Sequence, residues 1–274
     1  MVSRVEHAHC FVKITRSLNE KSVDMSKDVT AAVLIIGNEI LSGRTQDVNL
    51  NFIAKGLAQV GVRLREARVV ADVESEIVRA LNECRRTYDY VFTTGGIGPT
   101  HDDITSPCVA KAFGVELHHH PEAVAALEKA YQPGQLNEAR LRMAQVPRGA
   151  ELVKTTATAA PGFRMENVFV FAGVPSIMRA MFDSVKHTLK GGPPVLSRAF
   201  ATHLPEGTVA ADFSDLQARY PQVDMGSYPF FRQGKFGTTL VLRTTDPASL
   251  DRSAEELRAM IVRLGGEATE EQTS

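Results

Sequence analysis

The chain has 274 residues, 43% of them hydrophobic and 23% charged, with a formal net charge of -1. That length holds one large domain, or one medium and one small. The near-zero charge lacks the footprint of a nucleic-acid or anionic-membrane binder, the 7% aromatics without Trp argue against a single-strand stacking surface, and no apolar run reaches membrane-span length.

Residues 1–27 mix Arg4, Lys13, Arg16 and Lys21 with Glu6, Glu20 and Asp24, unlike a secretory or transit segment. They are expected to form a mobile extension, with Met25 as an alternative start. Val29 to Ile36 is a continuous apolar run, the mark of a strand covered on both faces, and Gly37 stops it. After a loop to about Asp47, the residues Leu50, Ile53, Ala54, Leu57 and Val60 recur at helical spacing. Arg63 to Val70 predicts a strand, and Ile77, Ala80, Leu81 and Cys84 predict a helix opened near Asp72 or Ser75. Tyr88 to Thr94 predicts the next strand, followed by a glycine loop and a helix through Val109 to Phe113.

Short strand–helix alternation of this kind implies parallel strands with right-handed crossovers, an α/β layer sandwich whose ligands bind beyond the carboxyl ends of the strands. Further on, Pro121 to Tyr131 and Leu136 to Gln145 read as helices, Asn167 to Phe171 as a strand, and Ile177 to about Leu189 as a helix. Lys190-Gly191-Gly192-Pro193-Pro194 is the linker. Beyond it, strand Leu196 to Leu204, helix Val209 to Tyr220, strands Val223 to Tyr228 and Thr238 to Arg243, and helix Leu250 to Leu264 make a small α+β subdomain. The expected division is therefore 28–190, 195–265 and a frayed polar tail at 266–274. Cys10, Cys84 and Cys108 are too few and too scattered for a disulfide framework, which points to a reducing, cytoplasmic setting.

The chemistry centres on Thr94-Gly95-Gly96-Ile97-Gly98-Pro99-Thr100-His101-Asp102-Asp103. Three glycines in four positions expose backbone N–H groups, and a helix N-terminus behind them adds donors, so the loop suits a phosphate. It is neither a Walker loop nor a dinucleotide fingerprint. Asp102 and Asp103 behind it suit a divalent metal held against that phosphate, although one of them alone suffices as a helix cap. Glu39, Ser42, Asp47 and Asn49, with Asn38 and Thr45, populate the loop at the end of the first strand, where solvation and ligand contact are both open to them. Ala172-Gly173-Val174-Pro175-Ser176 ends a third strand with glycine and a hydroxyl. His118-His119-His120 lacks an Asp or Cys partner at ligand spacing, which argues against a metal there, and no nucleophile elbow is present.

Ile35-Ile36-Gly37-Asn38-Glu39-Ile40-Leu41-Ser42-Gly43, Asp47-Val48-Asn49, Thr94 to Thr105, Ala160-Pro161-Gly162-Phe163 and Ala172 to Ser176 together resemble the N-terminal domain of the CinA family. That domain is similar to the molybdopterin-binding fold of MogA and MoaB and to the N-terminal domain of eukaryotic FAD synthase. The resemblance implies a three-layer α/β/α sandwich with a mostly parallel sheet. It also implies a phosphorylated small-molecule partner, either a pterin such as molybdopterin or a nucleotide diphosphate, and a homo-oligomer. CinA-type relatives are associated with metal-dependent pyrophosphatase activity on ADP-ribose-like compounds, and the FAD synthase relative with FAD hydrolysis. Carried over, Gly95, Gly96, Gly98, Pro99 and Thr100 hold phosphate with help from Gly37, Asn38, Ser42, Gly43, Asn49, Thr94, Gly173, Pro175 and Ser176. Asp102 and Asp103 bind Mg²⁺, Mn²⁺ or Co²⁺ or position water, and Glu39 with Asp47 completes an acidic wall. The expected function is metal-dependent hydrolysis of a nucleotide pyrophosphate, with a non-catalytic molybdopterin or nucleotide binder as the alternative. Four departures from the family pattern stand out: Asn38 replaces a family Asp, Asp47-Val48-Asn49 replaces Asn-Thr-Asn, Gln135-Leu136-Asn137-Glu138 replaces Pro-Glu-Asn-Asn, and Ile177 follows Ser176 where the family has Glu. No amidohydrolase or adenylyltransferase half is expected, hence no pyridine-nucleotide deamidation.

Overall fold

Six consecutive buried residues, Ala31 to Ile36, make β1 (Val29–Ile36) the centre of the larger sheet. A computed structural model describes residues 29–232 and 234–271; the extension expected at 1–27, Met25 and Cys10 lie outside the described residues. After β1 come α1 (Asn38–Leu41), α2 (Asn49–Gln59), β2 (Val62–Val70), α3 (Glu74–Thr87), β3 (Tyr90–Thr94) and α4 (Thr105–Phe113). Next are β4 (Leu117–His119), α5 (Pro121–Ala130), α6 (Glu138–Leu141), β5 (Gln145–Pro147), β6 (Glu151–Val153), β7 (Gly162–Met165), β8 (Val168–Phe171) and α7 (Pro175–Lys186). The smaller unit comprises β9 (Leu196–Thr202), α8 (Glu206–Arg219), β10 (Asp224–Arg232), β11 (Lys235–Thr244), α9 (Pro247–Arg263) and β12 (Thr269–Glu271).

The larger sheet runs β2-β1-β3-β8-β7-β6, with the first four strands parallel and the β8–β7 and β7–β6 pairings antiparallel. Ile53 and Leu57 of α2 pack with Met178, Met181 and Phe182 of α7 on one face. Ile77, Leu81 and Cys84 of α3 pack with Cys108 and Val109 of α4 on the other. The result is the three-layer α/β/α sandwich with a mostly parallel sheet, followed by a small α+β unit. The chain leaves β1 for β2 on one side and then returns to place β3 on the other. That reversal makes the carboxyl ends of β1 and β3 a topological switch point, where such sheets open a crevice.

The second sheet, β10-β11-β9-β12, is antiparallel and carries α8 and α9 on one face around Phe200, Phe213, Leu240 and Leu257. The linker between the units is docked. Gly192 N donates to Gly61 O at 2.9 Å, Lys190 N donates to the Tyr90 hydroxyl at 3.0 Å, and a Cβ on Gly61 would stand 1.8 Å from Gly192 O. Among the described residues no helix is long and apolar enough to cross a membrane.

Several expectations need correcting. The helix expected over Leu136 to Gln145 is only α6, tightened into a 3₁₀ turn at Arg142–Ala144 before β5. Asn137 caps it by accepting from Arg140 N at 2.9 Å, but the turn buries Ala144 against Ala123 and Leu127 and hands Gln145 to a strand pairing with β4. The frayed tail is likewise corrected. Thr269–Glu271 pairs with Ala199 to Ala201, and Glu270 bridges to Arg198 at 2.7 Å and Arg258 at 3.0 Å. A polar segment can be held at a sheet edge by ion pairs that composition does not reveal; residues 272–274 lie outside the described residues. Tyr88 caps α3 and does not begin β3.

Candidate functional site

The ends of β1, β3 and β8 lie side by side, and their loops approach one another through backbone atoms. Gly95 has φ +99, and a Cβ there would stand 2.1 Å from Ile36 O, so only glycine fits. Its N–H donates to Phe171 O at 3.1 Å. A Cβ on Gly173 would lie 3.3 Å from Gly95 Cα, and Asn49 Nδ2 donates to Gly173 O at 2.8 Å. Three loops are thus tied into one structure.

Thr105, fully buried at the start of α4, latches the glycine loop twice. Its hydroxyl donates to Gly95 O at 2.9 Å and its amide to Gly96 O at 2.9 Å. The amides of Gly96, Ile97 and Gly98 donate to no protein acceptor among the described residues. Unpaired donors ahead of a helix N-terminus are the arrangement from which anion sites are commonly built. α4 and α7 both begin at this edge without a side-chain cap, and Pro175 opens α7 with Ser176 exposed in its first turn.

The two acids behind the loop diverge. Asp103 folds back, its Oδ2 accepting from Thr100 N at 2.8 Å and from the Thr100 hydroxyl, and lies where a Cβ on Gly98 would be. It braces the loop; it does not cap α4, whose N-cap position is Ile104. Asp102 faces outward with 61% of its side chain exposed. The Thr100 hydroxyl, its own backbone amide and His101 hold the Asp102 carboxyl below the usual carboxylate range.

A cleft of about 60 Å³ opens at the switch point, bringing together Glu39, Asp47, Asn49, Thr94, Gly95, Gly173 and Pro175 with Thr45 and Gln46. At roughly 10–15 Å³ per water-sized probe, it admits a group of a few heavy atoms and not a whole dinucleotide. None of the described residues lining it is Lys or Arg. Glu39 lies over Gly37, its Oε1 2.5 Å from where a Cβ on Gly37 would be. Asp47 Oδ1 accepts from Leu50 N at 2.9 Å at the opening of α2.

The other expected residues surround this cleft without lining it. Asn38 is exposed, and its amide donates to Asp72 Oδ2 at 2.8 Å, which diverts Asp72 from opening α3. The Ser42 hydroxyl donates to Glu39 O at 3.3 Å, and Gly43 follows α1 at φ +72. Gly96, Gly98, Pro99, Thr100, Asp102 and Asp103 form the neighbouring loop. Sequence reasoning missed Gln46 and the bracing by Asp72, and it quoted Thr105 without a role. The signal for Thr105 was a buried-type hydroxyl at the first helical position after a glycine turn.

Among the described residues, no group of three or more His, Cys, Asp and Glu gathers as a metal cage. His118 Nδ1 meets Val146 O at 3.1 Å, and the His120 ring accepts from Glu122 N at 3.3 Å, so both serve local structure. A larger groove of about 1170 Å³ lies between the units, at the amino ends of β1 and β2. It faces away from the strand ends where α/β sheets place their ligands.

A family model described as a probable molybdopterin binding domain matches residues 32–191, and one described as the middle domain of FAD synthase matches residues 194–264. A Caenorhabditis briggsae protein named "Probable FAD synthase" is 31% identical over 263 residues, covering 85% of this chain and 50% of that protein. The chain therefore spans about half the length of the curated relatives that carry this name. A protein of Thermococcus kodakarensis is 33% identical over 249 residues, covering 85% of this chain and 98% of that one. Among solved structures, CinA of Thermoplasma acidophilum, described as of unknown function, aligns with a TM-score of 0.56 at 33% identity, covering 59% of this chain and 98% of that chain.

Proposed function

The chain belongs to the molybdopterin-binding-domain family and continues into an FAD-synthase-type middle domain, and from that premise we propose that it hydrolyses the pyrophosphate of a nucleotide ligand of the ADP-ribose or FAD kind. The observation that carries this reading is the pairing, at one switch point, of three unpaired loop amides with an acidic rim. The amides of Gly96, Ile97 and Gly98 and the N-terminus of α4 bind phosphate oxygens and stabilise the charge that develops on them. A water oxygen forms a bond to phosphorus, the bridging P–O bond breaks, the water's proton passes to a carboxylate such as Glu39, and two monophosphates leave.

Among the described residues no group of three or more His, Cys, Asp and Glu gathers as a cage, so a divalent cation here would take its remaining ligands from phosphate and water oxygens. Asp102, exposed and held below the usual carboxylate range, would be its anchor, and Asp103, turned back onto Thr100, would reach it only through its other oxygen. Such a cation, Mg²⁺, Mn²⁺ or Co²⁺, supplies charge neutralisation between phosphate and carboxylate.

The test incubates the protein with FAD or ADP-ribose and each metal and follows AMP by chromatography. AMP with FMN, or with ribose 5-phosphate, is expected, and Asp102→Ala should remove it. Unchanged release from both Asp102→Ala and Asp103→Ala would mean that other carboxylates act. The second reading, a non-catalytic molybdopterin or nucleotide binder, is favoured by Asn38, which stands where the family has a carboxylate. Ligand binding without AMP release under any of the three metals would select it.

A further inference from the structure

Asn49 opens α2 with its side chain turned inward, only 5% exposed, its Nδ2 donating to Gly173 O at 2.8 Å. Its Oδ1 is buried and meets no donor. The orientation of the amide follows from its partner: turned over, its carbonyl oxygen would face the Gly173 carbonyl, acceptor against acceptor. Buried polar atoms without partners are rare enough in native proteins to demand a reason. Here Asn49 lines the strand-end cleft beside Asp47, Glu39 and Thr94.

The cleft is lined by Thr45, Gln46 and Thr94, which carry donors, and by three side chains with acceptor capacity to spare. Asp47 uses Oδ1 on the Leu50 amide and keeps Oδ2, Glu39 has its carboxylate over Gly37, and Asn49 keeps a buried Oδ1 that no donor meets. All three are acceptors, and among the described residues no Lys or Arg lines the wall. An anion is repelled from this position, whereas O–H donors are drawn to it. The adjacent glycine loop is the reverse, with free N–H groups at Gly96, Ile97 and Gly98.

We propose that the cleft reads the vicinal diol of the ligand's sugar, and that Asn49 is the specificity residue which accepts a hydrogen bond from one of its hydroxyls through Oδ1. The neighbouring hydroxyl goes to the free carboxylate oxygen of Asp47. This rests on the nucleotide reading above and extends it, since it names the part of the nucleotide that is recognised and separates that from phosphate binding. A hydroxyl-reading site rejects the analogue that lacks the hydroxyl, because its own buried acceptor is then left unpaired.

The experiment titrates AMP and 2′,3′-dideoxy-AMP into wild type and Asn49→Ala by calorimetry. Wild type should bind AMP roughly a hundredfold more tightly than the dideoxy compound, about tenfold for each of the two hydroxyl hydrogen bonds. In Asn49→Ala about tenfold of that margin should vanish while dideoxy-AMP affinity changes little. If Asn49 only ties α2 to Gly173, the variant weakens both ligands equally and keeps the margin, which overturns the assignment. The wild-type comparison stands even if the variant fails to fold: equal affinity for the two compounds overturns the proposal alone, as it would if a water satisfied Oδ1. AMP release from FAD or ADP-ribose without a hydroxyl margin leaves the pyrophosphatase reading intact and removes this one. Failure of the wild type to bind either compound overturns this proposal, whereas the pyrophosphatase reading falls only if no AMP is released from FAD or ADP-ribose.

Discussion

Replacing Thr105 by Val tests whether one buried hydroxyl sets the shape of the glycine loop. The side chain is fully buried, and its hydroxyl donates to the buried carbonyl of Gly95 at 2.9 Å. Valine keeps the volume and the branching at Cβ, so no cavity forms, and the Thr105 amide can still reach Gly96 O. What is lost is the donor, which leaves a buried carbonyl unpaired at a cost of about 1–3 kcal/mol. Taking ~2 kcal/mol, the melting temperature should fall by roughly 4–8 °C, at about 2–4 °C per kcal/mol for a domain of 150–250 residues. Thr105→Ser restores the hydroxyl and loses only a methyl, so it should recover most of the stability. The assay is thermal and urea unfolding of the three proteins, followed by circular dichroism. A Val variant within about 0.5 kcal/mol of wild type, the range of a neutral surface change, would refute the latch, as would a Ser variant as unstable as Val.

Two further outcomes follow from the same geometry. Gly95→Ala adds a Cβ 2.1 Å from Ile36 O at φ +99, so it should cost roughly 3 kcal/mol or more and abolish nucleotide binding; near-wild-type unfolding and binding would contradict the close approach. Burial pushes the Cys108 thiol up to about 12 and raises that of Cys84 as well. The folded state therefore holds the thiol protons above the unfolded pKa of about 8.5, so their contribution is complete below that pH and lost as pH rises towards 12. Urea midpoints should fall between pH 9 and 11, and Cys108→Ala should flatten the fall; a wild-type midpoint independent of pH in that window refutes it.

Much of this was legible in residue order because it is written in backbone requirements. The apolar run of β1 can only be a strand covered on both faces, and Gly95-Gly96-Ile97-Gly98 between a strand and a helix can only be a tight turn with exposed amides. Strand order was not legible, because pairing β3 against β1 on the side away from β2 is a tertiary choice. The same holds for side chains that act across long separations. Asp72 has the composition of a helix cap, yet it accepts from the Asn38 amide across 34 residues. Asp103 has that composition too and instead braces Thr100. The segment from Leu136 has helical spacing, but Ala144 fills a small core with Ala123 and Leu127, and that packing ends the helix early. β12 is polar throughout and is held by Arg198, Arg258 and Arg232, all distant in sequence.

The site's dependence on glycine has a further physical basis in Gly95. Its N–H goes to Phe171 O, its carbonyl takes the Thr105 hydroxyl, one side of its Cα faces Ile36 O, and the other faces Gly173. One residue thus joins the ends of β1, β3 and β8 to the start of α4 through backbone atoms alone. The turn with its unpaired amides follows that hub in the chain, and the strand-end cleft is lined by it, so both are held by close backbone approaches and not by side-chain rotamers. Such a hub suits the ligand proposed above, with its phosphate in one zone and its sugar diol in the other, and it tolerates replacement of rim residues whose side chains lie outside the cleft. The Asn38 departure illustrates this: its side chain lies outside the cleft, while its backbone amide, bonded to Asp72, keeps the loop in place whichever side chain it carries.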